Sequence, residues 1–340
     1  MTCVFVILCY NYPIQMAFYV KVHKCPALDF SGKGVVGMNK HTLKKDWIHN
    51  WSVYLLAIPI FVYFIIWSYL PMVGVVLAFE KYSARGGFLF SEWVGVKNFA
   101  DFFGSYYLWR LLRNTLVLSL LNLIINFPAP IILALLLNEV ENELFKKVIQ
   151  TISYMPFFVS VVVICGIIVD FMGYNGAITL LLVKMGIASN SNLMTVKSFF
   201  RPVYVLSSTW QGVGYGSIIY LAALSGVDQE LYEAARIDGA NRWQQTWHIT
   251  LPGIAPTVII MLIMQIGSLL SSSTDKIILL YTTSTYEVAD TIGSFVYRRG
   301  LRDGDYGYST AVGLFNSFVN LLLLFTANSL SRRYSETSLF

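Results

Sequence analysis

Six long apolar stretches, at about 51–79, 113–138, 148–171, 203–225, 254–274 and 309–329, constrain this chain more than anything else in it. Each is long enough to cross a bilayer, which takes ~20 mostly apolar residues in a helix. Inside hydrocarbon every backbone N–H and C=O must be bonded within the protein, so a span is either a helix or part of a closed barrel. These runs are much longer than barrel strands and lack their alternation. The expected fold is therefore all-α, a polytopic membrane protein with six transmembrane helices. Composition agrees. With 56% hydrophobic and 13% charged residues over 340 positions, too little charge remains to coat a soluble domain.

Several function classes drop out early. The net charge of +5 comes from scattered Lys and Arg, not from a basic cluster with interleaved aromatics, so nucleic acid is not an expected partner. Cys3, Cys9, Cys25 and Cys165 lack metal-ligand spacing. Gly32-Lys33-Gly34 is not a phosphate-binding loop, because the rest of that motif is missing. ATP hydrolysis is thus not expected from this chain. A membrane enzyme would need clustered acids, bases or nucleophiles within the spans, whereas His23, His41, His49 and His248 are dispersed and lie outside them.

The ends read differently from the middle. Residues 1–37 hold two short apolar bursts broken at Asn11-Tyr12-Pro13, with neither a preceding positive charge nor a small-residue cleavage site, so a signal peptide is not expected. Met38 opens a basic lead into the first span and is the expected natural start. The expected organisation is an N-terminal segment 1–50, a six-span domain 51–330 and a tail 331–340.

Between the fourth and fifth stretches lies a polar, charged segment, 228–252, that is unlike the rest. It contains Glu233-Ala234-Ala235, then Asp238-Gly239-Ala240, then Ile249 and Leu251-Pro252. Glu233 to Arg236 favours a helix, and an anion near a helix start is stabilised by the dipole. Gly239 can take a positive φ and end that helix. Trp243 and Trp247, four apart, share one face of a second helix. Pro252 and Pro256 suit the first turn of the next span. The product is a short rigid element at the membrane surface.

This pattern resembles the EAA loop of the permease subunits of ABC importers. Further resemblance lies in Gly212 to Trp247, Tyr286-Glu287-Val288-Ala289-Asp290, Tyr297-Arg298-Arg299-Gly300 and Thr310 to Asn316, and is greatest to complex-carbohydrate permeases of the LplB and YteP type. It implies an ABC type I importer permease fold in a bacterial cell membrane, multi-pass, with N- and C-termini cytoplasmic. It also implies ATPase coupling through Glu233, Ala234, Ala235, Asp238, Gly239, Ala240, Trp243, Trp247, Leu251 and Pro252. The implied partners are a second permease, ATP-binding subunits that hold ATP and Mg, and an extracytoplasmic solute-binding lipoprotein. The implied cargo is an oligosaccharide; permeases for other solutes share the loop. Residues 1–37 fall outside the family pattern. Counting Lys and Arg by loop leaves orientation open, so the resemblance sets it, with 80–112, 172–202 and 275–308 as outer loops.

Polar residues inside spans are costly and tend to face a bundle interior or a water-filled path. Trp210, Gln211 and Tyr215 in the fourth stretch, Gln265, Ser268 and Ser272 on one face of the fifth, and Asn316 in the sixth are the candidate pathway residues. Amides, hydroxyls and aromatic rings suit sugar hydroxyls and ring faces, but each could equally bond helix to helix. Asn122, Asn126 and Asn320 raise the same alternatives. Val213-Gly214-Tyr215-Gly216 copies part of a potassium-channel filter, yet Gly212 stands where the filter has Thr and the tetrapeptide lies within a full-length span. Close helix approach or a kink is the expected use of these glycines. A stand-alone channel or carrier, the alternative of another class, leaves the 228–252 segment unexplained.

Overall fold

A computed structural model describes residues 51–83, 86–87, 91–188, 192–271 and 274–334. The expectations about 1–37, the start at Met38, Cys3, Cys9 and Cys25 all lie outside these residues. The chain divides into two compact units, 1–74 and 75–340. The described part of the first is helical: α1 begins at Trp51–Phe64, passes through a π segment Ile65–Tyr69 and continues as a tighter helix, Leu70–Phe79.

After α1 the chain forms, within the second unit, a minimal antiparallel pair, β1 (Glu80–Lys81) and β2 (Glu92–Trp93), followed by α2 (Lys97–Phe103). Asn98 fastens them, its amide donating to the carbonyls of Ala78 (2.9 Å) and Glu80 (3.1 Å). The pass α3 (Leu108–Asn126) to α4 (Pro128–Asn138) follows almost without interruption. Then come α5 (Glu143–Tyr154), α6 (Val161–Met172), α7 (Ala177–Lys184) and the 28-residue α8 (Lys197–Leu224). Among the described residues five helical segments are long and apolar enough to cross a membrane: 54–79, 108–138, 161–184, 242–267 and 306–332. The 28-residue α8, about 42 Å long at 1.5 Å per residue, is long enough to cross as well but is less apolar than these five, and it buries residues such as Tyr204, Gly214 and Ser217 against its neighbours.

The third pass departs from the expected unbroken helix over 148–171. It starts earlier, at Glu143, capped by the Asn142 side chain, and it breaks at Met155–Phe158 before Ser160 caps its second half. Pro156 lies in the break. Proline lacks an N–H and clashes with the preceding turn, so continuous helix is disfavoured there. Both halves lie beside α8. Ser153 meets Gly214, the Val159 carbonyl accepts from Gln211 (3.4 Å), and Cys165 packs in one cluster with Tyr204 and Val205. Partner numbers fall as chain numbers rise, so the pass runs antiparallel to α8.

Glycine makes that approach possible. A Cβ on Gly214 would stand 2.0 Å from the Ser153 carbonyl oxygen, a contact with backbone that cannot rotate away. The channel-like tetrapeptide is therefore a helix-packing site. Gly214→Ala should separate the two passes and cost about 1–3 kcal/mol, the usual range for overpacking. A lowered midpoint for thermal unfolding of the purified protein is expected; an unchanged midpoint would contradict this contact.

The fifth pass also differs from the expected 254–274. Its helix, α11 (Leu251–Gly267), stops at Ser268. The chain then leaves helical geometry, and side chains of other passes satisfy its backbone: Asn320 Oδ1 accepts from Leu270 N (3.0 Å), and Ser119 Oγ donates to the Leu269 carbonyl. Asn320 Nδ2 also donates to Ser271 Oγ at 2.9 Å, so this amide ties the last pass to the non-helical end of the fifth. The segments α12 (Thr274–Leu280), α13 (Tyr286–Ala289) and α14 (Ile292–Tyr297) follow, then a π turn Arg298–Arg302 and the last pass, α15 (Tyr306–Tyr334).

Packing divides between the two ends of the bundle. At one end Ala134, Tyr220, Leu224, Val227 and Ile254 form a cluster under residues 228–252. At the other, Phe102, Leu111, Ile292, Phe295 and Val312 pack together. There Asp290, fully buried, accepts from Arg298 at 3.1 and 2.7 Å, from Arg110 at 3.3 Å and from Ser294 Oγ at 2.9 Å. Burial works against the Arg298 charge, but Asp290 outweighs it and holds the guanidinium pKa above its ordinary value.

Candidate functional site

Residues 228–252 fold as two capped helices joined by a turn. The first, α9 (Gln229–Ile237), begins one turn earlier than Glu233: Asp228 caps it, accepting from Glu230 N at 3.0 Å. The expectation that Glu233 sits near the helix start is thus corrected. Glu230 occupies the first turn, and Glu233 lies mid-helix, exposed, beside Ala234 and the half-buried Ala235. Asp238 is the C-cap, and Gly239 follows with φ of +79°, where its N–H bonds the Arg236 carbonyl (3.1 Å) and Ala240 N bonds that of Ala235 (2.9 Å). This is the left-handed termination that glycine permits. Asn241 and Gln244 then form a reciprocal capping box that starts the second helix, α10 (Arg242–Gln245).

From Arg242 the helix does not stop. It passes through a π segment, Thr246–Thr250, directly into α11. Pro252 is at the second position of α11, but no break precedes it, and Pro256 lies in the helix interior. The first of these has a cause in the preceding π segment. The π segment shifts hydrogen bonding to the fifth residue back, as in Leu251 N to the Thr246 carbonyl, which loosens the ladder where proline cannot donate. The physical consequence is that 242–267 is one continuous lever from the surface into the bundle.

Trp243 and Trp247 do share a face, with ring centroids 6.2 Å apart, and they stand 70% and 55% exposed. Ile237 is 87% exposed. Below them Tyr232 Oη and Thr250 Oγ1 are 2.9 Å apart, joining α9 to the lever, while Leu251 packs on the cluster beneath. A depression of about 290 Å³ is lined by Ala235, Asp238, Gly239, Ala240, Gln245 and His248, among others.

The candidate pathway residues are not gathered into one cavity among the described residues. Trp210 is exposed at mid-length of α8. Tyr215 turns elsewhere, stacking on Phe157 with centroids 3.9 Å apart, and Gln211 reaches Val159. Gln265 is exposed near the end of α11. Ser268 is not on the helical face expected for it: α11 ends there, and its hydroxyl bonds back to the carbonyls of Met264 and Gln265 (3.4 and 3.2 Å). Ser272 lies outside the described residues. Asn316 is half-buried on α15, and its Oδ1 is buried without a hydrogen-bond partner. Asn122 and Asn126 bond within the bundle, to Tyr204 Oη (3.3 Å) and to each other (2.8 Å).

The model of the family described as binding-protein-dependent transport system inner membrane component matches residues 126–336. The chain belongs to that family. Protein LplB of Bacillus subtilis (strain 168) is 44% identical over 310 residues, covering 91% of this chain and 96% of LplB. The polygalacturonan/rhamnogalacturonan transport system permease protein YteP of the same organism is 42% identical, covering 85% and 90%. A chain of a bacterial alginate ABC transporter, crystallised with its alginate pentasaccharide-bound periplasmic protein, superposes with a TM-score of 0.79 at 38% identity, covering 87% of this chain and 99% of that one. The protein is accordingly an ABC transporter permease with a type I permease fold, and not an enzyme.

Two features of this permease were beyond sequence reasoning. Arg242 reaches across to a different loop, pairing with Glu139 (3.0 Å) and Glu141 (2.9 Å). An arginine next to Trp243 could have been noted, but its carboxylate partners lie about 100 positions away. Lys276 is buried and donates to Ser208 Oγ at 3.3 Å, a contact between segments that no local pattern announces.

Proposed function

We propose that this chain is the transmembrane subunit of an ATP-driven importer of oligosaccharides, working by alternating access. The observation that carries the reading is the continuous lever 242–267, with the glycine turn and exposed Ile237, Trp243 and Trp247 at its surface end. An exposed aromatic face on a rigid, capped element suits docking to a soluble protein. With ATP-binding subunits there, that end is cytoplasmic, and the Asp290 end faces outward to a solute-binding protein. A second permease completes the pathway. The oligosaccharide reading is supported by the relatives, which include permeases or transporters named for polygalacturonan, rhamnogalacturonan, arabinooligosaccharides and alginate. Another solute carried by the same machinery is the second reading, since one relative is a glycerol-3-phosphate permease.

In this reading Trp210, Gln211, Tyr215, Gln265, Ser268, Ser272 and Asn316 serve the sugar path. Exposed Trp210 and Gln265 supply a ring face and an amide to the space beside the second permease, and sugar hydroxyls leaving water need such replacement partners. The test is uptake by the complete transporter in proteoliposomes. Combined alanine substitution of Trp210, Tyr215 and Gln265 should lower oligosaccharide uptake at least about tenfold, a loss of ~1.4 kcal/mol, while subunit assembly and basal ATP hydrolysis persist. Unchanged uptake in the triple variant would remove these residues from the path. A wild-type transporter that moves no oligosaccharide would overturn the substrate reading itself.

A further inference from the structure

At the end of the bundle opposite 228–252 the chain forms a second, open hollow of about 390 Å³, lined by Tyr281, Thr283, Tyr286, Tyr297, Arg298 and Arg302 among others. Its size falls in the range of about 300–1,000 Å³ typical of small-ligand sites. We infer that this hollow binds a sugar ring bearing a carboxylate, with Arg302 as the carboxylate partner and Tyr297 as the ring platform. The inference rests on the proposed import of oligosaccharides, and adds to it both a site and a chemical class.

The hollow has a fixed floor and a free wall. In the floor, Tyr281 and Tyr286 stack with centroids 4.8 Å apart, and the Arg298 guanidinium lies 4.7 Å from the Tyr286 centroid. Arg298 is anchored by its paired bonds to buried Asp290. These groups are committed to one another and hold the shape. The wall is not committed: Tyr297 is 45% exposed and makes no ring contact among the described residues, and exposed Arg302 has no ion-pair partner among them. Arg298 and Arg302 both line the hollow.

Charge chooses the ligand class. The single Asp290 carboxylate faces two guanidiniums, Arg110 and Arg298, and Asp303 is engaged by Arg299 at 3.6 Å. The lining of the hollow itself holds two guanidiniums, Arg298 and Arg302, and no carboxylate, and Arg302 is not ion-paired among the described residues. A guanidinium presents its N–H groups in a fork that matches a carboxylate, which makes it selective for that group over a hydroxyl. The Tyr297 ring offers an apolar face to the sugar ring, and the Thr283 hydroxyl can exchange hydrogen bonds with it. A side chain of a docked protein is the competing occupant. The hollow's concavity and its aromatic lining favour the smaller ligand.

The test uses the assembled transporter in lipid nanodiscs, with trigalacturonate and its fully methyl-esterified form as probes and calorimetry as the readout. Trigalacturonate should bind at least about tenfold more tightly than the ester, and the difference should shrink when salt is raised from about 50 to about 500 mM. Arg302→Gln should weaken trigalacturonate about tenfold and leave the ester unchanged, Arg302→Lys should restore part of the loss, and Tyr297→Ala should weaken both probes alike. Equal binding of acid and ester, or an Arg302→Gln variant that binds trigalacturonate normally, would overturn the proposal. Loss of docking by the sugar-free solute-binding protein in Arg302→Gln, with trigalacturonate binding intact, would also overturn it and assign the hollow to a protein contact. Uptake of neutral and acidic oligosaccharides by the same transporter in proteoliposomes separates the two readings: no import of either refutes oligosaccharide transport, whereas the binding comparison judges the hollow alone.

Discussion

Gly239→Pro is expected to abolish oligosaccharide uptake by the complete transporter while leaving the protein in the membrane. Gly239 holds φ at +79°, and proline is confined near −65°, so the turn between α9 and the lever cannot form with proline there. The substitution also deletes the N–H that bonds the Arg236 carbonyl. The lever's surface end would then lose its orientation, although the spans, which pack elsewhere, would not. Gly239→Ala is the informative control. Open space surrounds the position, so the methyl group meets nothing and only the left-handed backbone is penalised, at about 1–2 kcal/mol. Alanine should therefore retain most uptake. Glu233→Lys, which reverses the charge of an exposed residue on α9, should uncouple ATP hydrolysis from uptake with little effect on folding. Wild-type uptake by the proline variant would show that the turn plays no part in coupling.

What could be read from the chain alone was what periodicity and local chemistry encode. The apolar runs announced the spans, and the glycine at 239 announced its turn, because both depend on residues adjacent in sequence. The Trp243 and Trp247 pairing followed from helical spacing for the same reason. Termini were harder. Glu233 looked like a first-turn anion until Asp228 proved to be the cap, and a capping side chain one turn upstream outweighs the propensity of Glu-Ala-Ala.

Breaks inside apolar runs were illegible because hydropathy does not register them. The third pass breaks at Pro156, where Met155, Phe157 and Phe158 keep the run apolar, and the fifth ends at Ser268, just before Leu269 and Leu270 continue the run. A broken backbone in a membrane protein needs partners, and here they come from Asn320 and Ser119, about 50 and 150 positions distant. The same reasoning explains why Asn320 could not be assigned to a pathway or to packing beforehand. Its role depends on whether a free backbone N–H lies opposite, and only the fold decides that. In the reverse direction, the polar fourth stretch falls short in apolarity yet forms a 28-residue helix, since its Gly214 and Ser217 are buried against other passes instead of facing lipid.

Asp290→Ala should be the most destabilising single change at the opposite end. The carboxylate is fully buried and holds Arg298 through two bonds and Arg110 through a third. Removing one member of a buried charge network leaves its partners uncompensated, typically at a cost of about 3–5 kcal/mol. Arg298 and Arg110 retain some access to water, with side chains 17% and 27% exposed, so the lower end of that range, about 3 kcal/mol, is expected. In a unit of this size that corresponds to a fall of roughly 6–10 °C in the unfolding midpoint. Asp290→Asn should cost less, because the amide oxygen still accepts a hydrogen bond although the charge is lost. The Asn114 side chain, which donates to the Asp290 carbonyl at 3.1 Å, is untouched by either change. Thermal unfolding of the purified variants in detergent measures the order wild type, Asn, Ala. If alanine matched the wild type, Asp290 would not be what holds the 281–302 region in place, and the hollow lined by Tyr281, Tyr286 and Arg298 would need another support.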